Sequence, residues 1–232
     1  NLKETDMKYG SMSIVTTNKN HITKKKWLHG QWTDNAQDFW DDFSSDGKLD
    51  EEEEIEAKGC DLLEHYDFSF LNLKERISSV SSYETIKPNE TKEFEFIISW
   101  YFPNRPKGWI EYDADLERYR QGGYDTIKNY YATKFTDAWD VVKYVVGKKE
   151  YLESTSRAFE NALFETSLPA YVIDAVASNI MSMKSHCCFR IENGNFLGWE
   201  GIRDYVGCGQ GNVNHVWNYA TAVAGLFPDL EI

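Results

Sequence analysis

A chain of 232 residues can hold one large domain or two modest ones, so burial is not limiting. Its net charge of −13 excludes nucleic acid as a partner, since phosphate binding needs clustered Lys and Arg. Hydrophobic content of 41% and aromatic content of 15% describe a globular protein whose aromatics mostly build its core.

Up to about Arg105 the local signals are those of β-structure. Ser11 to Thr17 is rich in branched residues, and Ile77 to Ile86 in Ser, Val, Tyr and Thr. The three-residue basic cluster Lys24 to Lys26 is expected on an exposed strand edge. Lys92 to Trp100 alternates in part, with Phe94, Phe96 and Ile98 on one face and Lys92, Glu93 and Glu95 outside it. Pro88-Asn89 supplies the turn before that strand. Pro103 and Pro106, which cannot donate to a ladder, close it as the last strand of a first domain.

Residues 107–124 are polar and broken by Gly108 and the Gly122-Gly123 pair, so they read as a linker or a lid. Beyond Tyr124 the period becomes helical. Phe135, Ala138, Trp139, Val142, Val145 and Val146 form one stripe, which Gly147 ends. Leu152, Thr155, Ser156, Phe159 and Leu163 form a second, closing near Pro169. Val172, Ile173, Val176 and Ile180 form a third. Short joints between successive helices favour antiparallel packing. Gly194-Asn195 reads as a tight turn, from which Phe196 to Trp199 leads to Glu200.

The stretch from Gly194 to Glu231 carries the chemistry. Glu200 stands between Trp199 and Gly201, and a polar, glycine-rich loop follows. His215, Trp217, Asn218 and Tyr219 then open an apolar helix. A carboxylate beside an indole, with hydrogen-bonding and aromatic groups at a helix start, suits a sugar site. Read alone, Glu200 is more simply a solvated glutamate after a turn, and Tyr219 shares a core stripe with Ala222, Val223 and Leu226. Arg157, Asp174 and Asn179 lie near apolar stripes, where caps and interhelix bonds account for them. Arg190, ten residues before Glu200, is a candidate for orienting a carboxylate.

The GWEG (Gly198 to Gly201) and HVWNY (His215 to Tyr219) pair resembles glycoside hydrolase family 116, the non-lysosomal glucosylceramidases and bacterial β-glucosidases. Ile98 to Pro106, Asn129 to Val145 and Leu163 to Ile180 resemble further segments of that family in the same order. Asp38 to Leu49 is the weakest match and resembles a segment of its β-sandwich. The resemblance implies a mixed fold: a partial N-terminal β-sandwich over residues 1–106, a linker over 107–124, and the first helices of a truncated (α/α)6 barrel over 125–232. It implies a retaining β-glycosidase of β-glucosidase or glucosylceramidase type, acting on a β-glycoside without a cofactor. Glu200 would be the nucleophile, with His215, Trp199, Trp217 and Tyr219 contacting the sugar. Val213-Asn214 stand where the family pattern has Cys-Thr, and Ala220 where Glu or Gln is common. The acid/base aspartate would lie downstream, in the rest of the catalytic domain. The chain by itself is then expected to be inactive, with apolar faces that leave it molten or aggregated.

Two other readings compete. One is a carbohydrate-binding relative that has lost its acid. The other is a calcium module, because Asp42 to Glu53 fits the EF-hand loop template, with Asp42, Ser44, Asp46, Asp50 and Glu53 as oxygen ligands around Gly47. The segment before it shows no sustained helical stripe, and no second hand pairs with it. Cys187 and Cys188 are adjacent while Cys60 and Cys208 stand alone, so the four cysteines form neither a zinc pattern nor a disulfide framework. A reducing compartment, such as the cytoplasm, or simple burial accounts for them. No run approaches the roughly eighteen apolar residues of a membrane span.

Overall fold

The computed structural model describes residues 2–25, 27, 34–50, 77–106, 126–185, 188–198, 201–203, 206–207 and 220–230. They form a mixed α/β structure with two compact units, one of residues 13–98 and one of residues 1–12 with 99–232. Strand β1 (Ser11–Thr16) pairs with β4 (Phe96–Tyr101), and the unit boundary crosses both strands. All five sheets among the described residues are two-stranded, and no barrel is closed there. The expected 107–124 linker lies outside the described residues.

In the 13–98 unit, β2 (His21–Lys24) runs antiparallel to β3 (Ser79–Ser82), with His21 opposite Ser82 and Lys24 opposite Ser79. Helix α1 (Asp34–Asp46) occupies the segment expected to be sandwich strand and turn. Its four-residue spacings explain the difference: Phe39 and Phe43 share one helical face, as do Asp38 and Asp42. Trp27 stacks on Phe39 at 4.4 Å between centroids, and its indole N–H donates to Ser79 Oγ at 2.9 Å. Gly47 stops the helix in the left-handed conformation, at φ 78°, with its N–H on Phe43 O.

Lys24 overturns the expectation of an exposed basic edge, for its side chain is 1% exposed. Its ammonium lies 2.8 Å from Asp42 Oδ2 and 3.7 Å from Asp38 Oδ2, which ties α1 to the end of β2. A buried ammonium is tolerable only with such partners.

Strand β4 begins at Phe96, later than the alternation predicts, because Asn18 binds the preceding residues with its side-chain amide. Its Nδ2 donates to Glu93 O and its Oδ1 accepts from Glu95 N–H. The face of β4 is also reversed from a simple reading of hydrophobicity. Phe96, Ile98 and Trp100 are exposed, whereas Ser99 and Tyr101 are buried. The cause is the helix start packed there: Ser99 Oγ donates to Ala138 O at 2.8 Å, and Ser11 Oγ accepts from Ala138 N–H at 2.9 Å.

The unit of residues 1–12 and 99–232 continues with β5 (Asn104–Pro106), antiparallel to β6 (Thr126–Lys128). Strand β5 thus still falls within residues 1–106, after the strand expected to be the last of that stretch, and Pro106 sits at the end of its strand, where a missing donor is tolerated. Asn104 fastens the N-terminal segment, its side-chain N–H groups donating to Glu4 O and Asp6 O. A 3-10 turn (Tyr130–Thr133) leads to α2 (Ala138–Gly147), capped by Asp137, whose carboxylate accepts from Asp140 N–H at 2.7 Å. Helices α3 (Lys149–Phe164) and α4 (Ala170–Met181) follow, in keeping with the three predicted stripes. The stripes are shallowly buried. Ala138, Val142 and Ile173 are in the core, while Trp139, Val146, Phe159 and Val176 remain exposed.

Candidate active site

The motif segment is approached by a hairpin. Strand β7 (Cys188–Arg190) pairs antiparallel with β8 (Phe196–Gly198), with Cys188 opposite Gly198 and Arg190 opposite Phe196. Gly194 makes the turn possible, at φ 97°, where a side chain would be strained. Its N–H donates to Ile191 O at 2.8 Å, and Ile191 N–H donates to Asn195 O at 3.0 Å. After Gly198 come Trp199 and Glu200, and then β9 (Gly201–Arg203), antiparallel to β10 (Val206–Gly207). The motif's two glycines thus end one strand and begin the next. Glu200, Trp199, His215, Trp217 and Tyr219 themselves lie outside the described residues. Helix α5 (Ala220–Leu226) begins directly after Tyr219 and buries Val223.

Among the described residues, the hairpin is held against β5, β6 and the two residues after β6 by four contacts. Asn129 forms a β-bridge with Ile191, and Glu192 N–H donates to Lys128 O at 2.9 Å. The Arg105 guanidinium lies 3.3 Å from the centroid of the Phe189 ring, and that of Arg190 lies 3.8 Å from the Tyr130 ring. Arg190 Nε also donates to Gly194 O at 2.9 Å, bracing the turn from within the hairpin. Arg190 is therefore a framework cation, engaged with a ring and a carbonyl. Arg105, Asn129 and Tyr130 carry no local sequence signal for this role, because only strand register brings them to the hairpin.

Tyr131 anchors the same neighbourhood. Its hydroxyl donates to Phe102 O at 2.5 Å and accepts from Phe102 N–H at 2.8 Å. Burial pushes its phenol above the ordinary tyrosine value, and the bond to the Phe102 backbone opposes that only in part.

The residues of the calcium template take other roles. Asp42 to Asp46 are the last turns of α1, not an open loop, and Glu53 lies outside the described residues. Asp42 is bonded to the Lys24 ammonium and accepts Asp50 N–H at 3.1 Å. Burial raises its carboxyl, but Lys24 and the Asp50 N–H outweigh that and hold it below the usual carboxylate value. Among the described residues no group of three metal-ligating side chains converges. No described helix is long and apolar enough to cross a membrane.

The polar residues near the helical stripes do not converge either. Arg157, Asp174 and Asn179 are exposed, and Asn179 donates within its own helix to Ala175 O. What α3, α4 and α5 do share is an open apolar groove of about 430 Å³, lined by Phe159, Leu163, Val176, Ile180, Ala222 and Leu226.

Comparison with curated proteins gives no match. Residues 1–152 match the family model described as beta-glucosidase 2, glycosyl-hydrolase family 116 N-term, a stretch that runs through α2 and into α3. With 152 of its 232 residues matched, the chain belongs to glycoside hydrolase family 116.

Proposed function

We propose that this chain is part of a retaining β-glycosidase that hydrolyses β-glucosides, of the glucosylceramidase-like type, with Glu200 as its nucleophile. The observation that carries the proposal is the family match over residues 1–152, joined to a single glutamate in the GWEG motif downstream of it. The ionised Glu200 would attack the anomeric carbon while a carboxylic acid protonates the departing oxygen. That second group, an aspartate by the family resemblance, would then take a proton from the water that releases the sugar. His215, Trp199, Trp217 and Tyr219 would hold the ring, the imidazole through hydroxyl contacts and the aromatic faces by stacking on C–H groups.

The test is Glu200→Ala in the full-length enzyme. Hydrolysis of an aryl β-glucoside is expected to fall by about three orders of magnitude or more, because the covalent route is removed. Added azide should restore turnover and yield an α-glycosyl azide, the anion having entered from the face that Glu200 vacated. Normal hydrolysis by the variant refutes the assignment. A wild-type protein that binds glucosides without cleaving them refutes the enzymatic reading and points to a carbohydrate-binding relative.

A further inference from the structure

We infer that Asn193 is a self-modification site, at which the chain converts an asparagine to aspartate and isoaspartate through a succinimide. The inference is independent of the nucleophile assignment and uses only the turn between β7 and β8. Asn193 is the one asparagine of the sequence followed by glycine, so no side chain shields the Gly194 nitrogen from it. Asn193 is also exposed, which admits water and hydroxide. Asn195 N–H donates to Asn193 Oδ1 at 3.0 Å. That bond folds the side chain over the peptide that follows it, toward the Gly194 nitrogen, and polarises the amide carbonyl. By contrast, the exposed Asn89 precedes Glu90 and the exposed Asn179 precedes Ile180, whose side chains crowd the attacking nitrogen.

The chemistry balances with water alone. The Gly194 nitrogen gives up its proton to hydroxide and attacks Asn193 Cγ. Negative charge gathers on Oδ1, where the Asn195 N–H already stands as a donor that stabilises it. The bond from Cγ to the side-chain nitrogen then breaks, and that nitrogen leaves as ammonia with a proton from water. A second water opens the resulting ring at either carbonyl, giving aspartate or isoaspartate. One contact opposes the attack, for Gly194 N–H donates to Ile191 O at 2.8 Å. It is a single bond at the tip of a hairpin with three residues paired on each strand, where local opening costs little. Once isoaspartate forms, the backbone of the turn gains a methylene group. The Gly194–Ile191 and Ile191–Asn195 bonds then no longer both close, and Arg190 Nε loses its fixed acceptor on Gly194 O. The pairing of β7 with β8 loosens as a result.

The experiment is incubation of the full-length protein at mildly alkaline pH, followed by peptide mapping with electron-transfer fragmentation to separate aspartate from isoaspartate. The peptide spanning residues 188–198 is expected to gain the mass difference between an amide and a carboxyl ahead of every other asparagine peptide. Isoaspartate should appear at Asn193, and hydrogen exchange within residues 188–198 should accelerate roughly tenfold as it accumulates. Asn193→Gln, whose ring closure would be six-membered and slow, should show neither change. Asn195→Pro, which removes the N–H on Oδ1, is expected to slow conversion roughly tenfold, less than a buried oxyanion donor contributes because water competes at an exposed turn. An unmodified Asn193 after other asparagines have converted overturns the inference. So does conversion at the wild-type rate in Asn195→Pro, or equally accelerated exchange in aged Asn193→Gln, since either shows that the geometry of this turn plays no part.

Discussion

Replacing Lys24 by Met tests the least expected feature of the fold. Met keeps most of the buried stem and removes the charge. In the wild type the ammonium is 2.8 Å from Asp42 and 3.7 Å from Asp38, with the lysine side chain 1% and the Asp42 side chain 11% exposed. Removing one partner of a buried pair strands the other, at about 3–5 kcal/mol. Asp42 keeps the Asp50 N–H, so the lower end applies, about 3 kcal/mol. Since α1 is docked on β2 through this pair and the Trp27–Phe39 stack, the loss should appear as easier local opening of α1. Hydrogen exchange of peptides spanning residues 36–50 is expected to accelerate roughly a hundred-fold. Asp42→Asn in the same background removes the stranded charge and should recover about 2 kcal/mol, leaving a double variant far better than the two singles summed. Exchange within threefold of wild type in Lys24→Met, or strict additivity in the double variant, refutes the claim that this pair docks the helix.

Three further outcomes follow from the same structure. Because Asp42 is held below the usual carboxylate value, near 3.8, its contribution is present above that pH and lost as pH falls through the folded-state value; the excess stability of wild type over Asp42→Asn should therefore be full at pH 7 and shrink below about pH 4, and a constant difference across an acid titration would contradict it. Tyr131→Phe loses both hydroxyl bonds to the Phe102 backbone and should lower unfolding free energy by about 1–2 kcal/mol in urea, whereas an unchanged midpoint would show those bonds to be replaceable by water. Gly10→Ala would drive a methyl group into Phe102 Cδ1 and Tyr101 O, with Phe102 Cε1 at 2.7 Å, and should destabilise by about 1–3 kcal/mol, read as a lower melting temperature; wild-type melting would mean the N-terminal segment shifts freely.

Legibility in the sequence followed the range of the interactions. The helices α2, α3 and α4 were plain from apolar spacing, and the Gly194 turn from its residue type, because both depend on neighbours a few positions away. Helix α1 was obscured by composition. Asp, Asn and Ser are weak helix formers, and they also populate calcium-loop templates, so the spacing of Phe39 and Phe43 was outweighed. Lys24 resembled any surface lysine until its carboxylates arrived from another element. The outward face of Phe96, Ile98 and Trp100 likewise followed from a partner, since Ser99 is drawn inward by the backbone of Ala138. For the site, the carboxylate at Glu200 was legible through a motif and the family through the chain's order of segments. The clamps on the hairpin were not, because Arg105 and Phe189 meet only once β5, β6 and β7 are assembled.

The stitching of the N-terminal segment has a consequence for synthesis on the ribosome. Ser11 finds Ala138 across 127 positions of sequence, and Asn104 finds Glu4 across 100. At translation speeds of about 5–20 residues per second, the wait between Ser11 and Ala138 is roughly 6–25 s. Residues 13–98 are all made within that interval, while Ser11 still has no helix to receive it. The nascent chain therefore carries an early strand waiting on a late helix, and slowing translation between the two lengthens the time in which that strand is open to chaperones or to neighbouring chains on the same message.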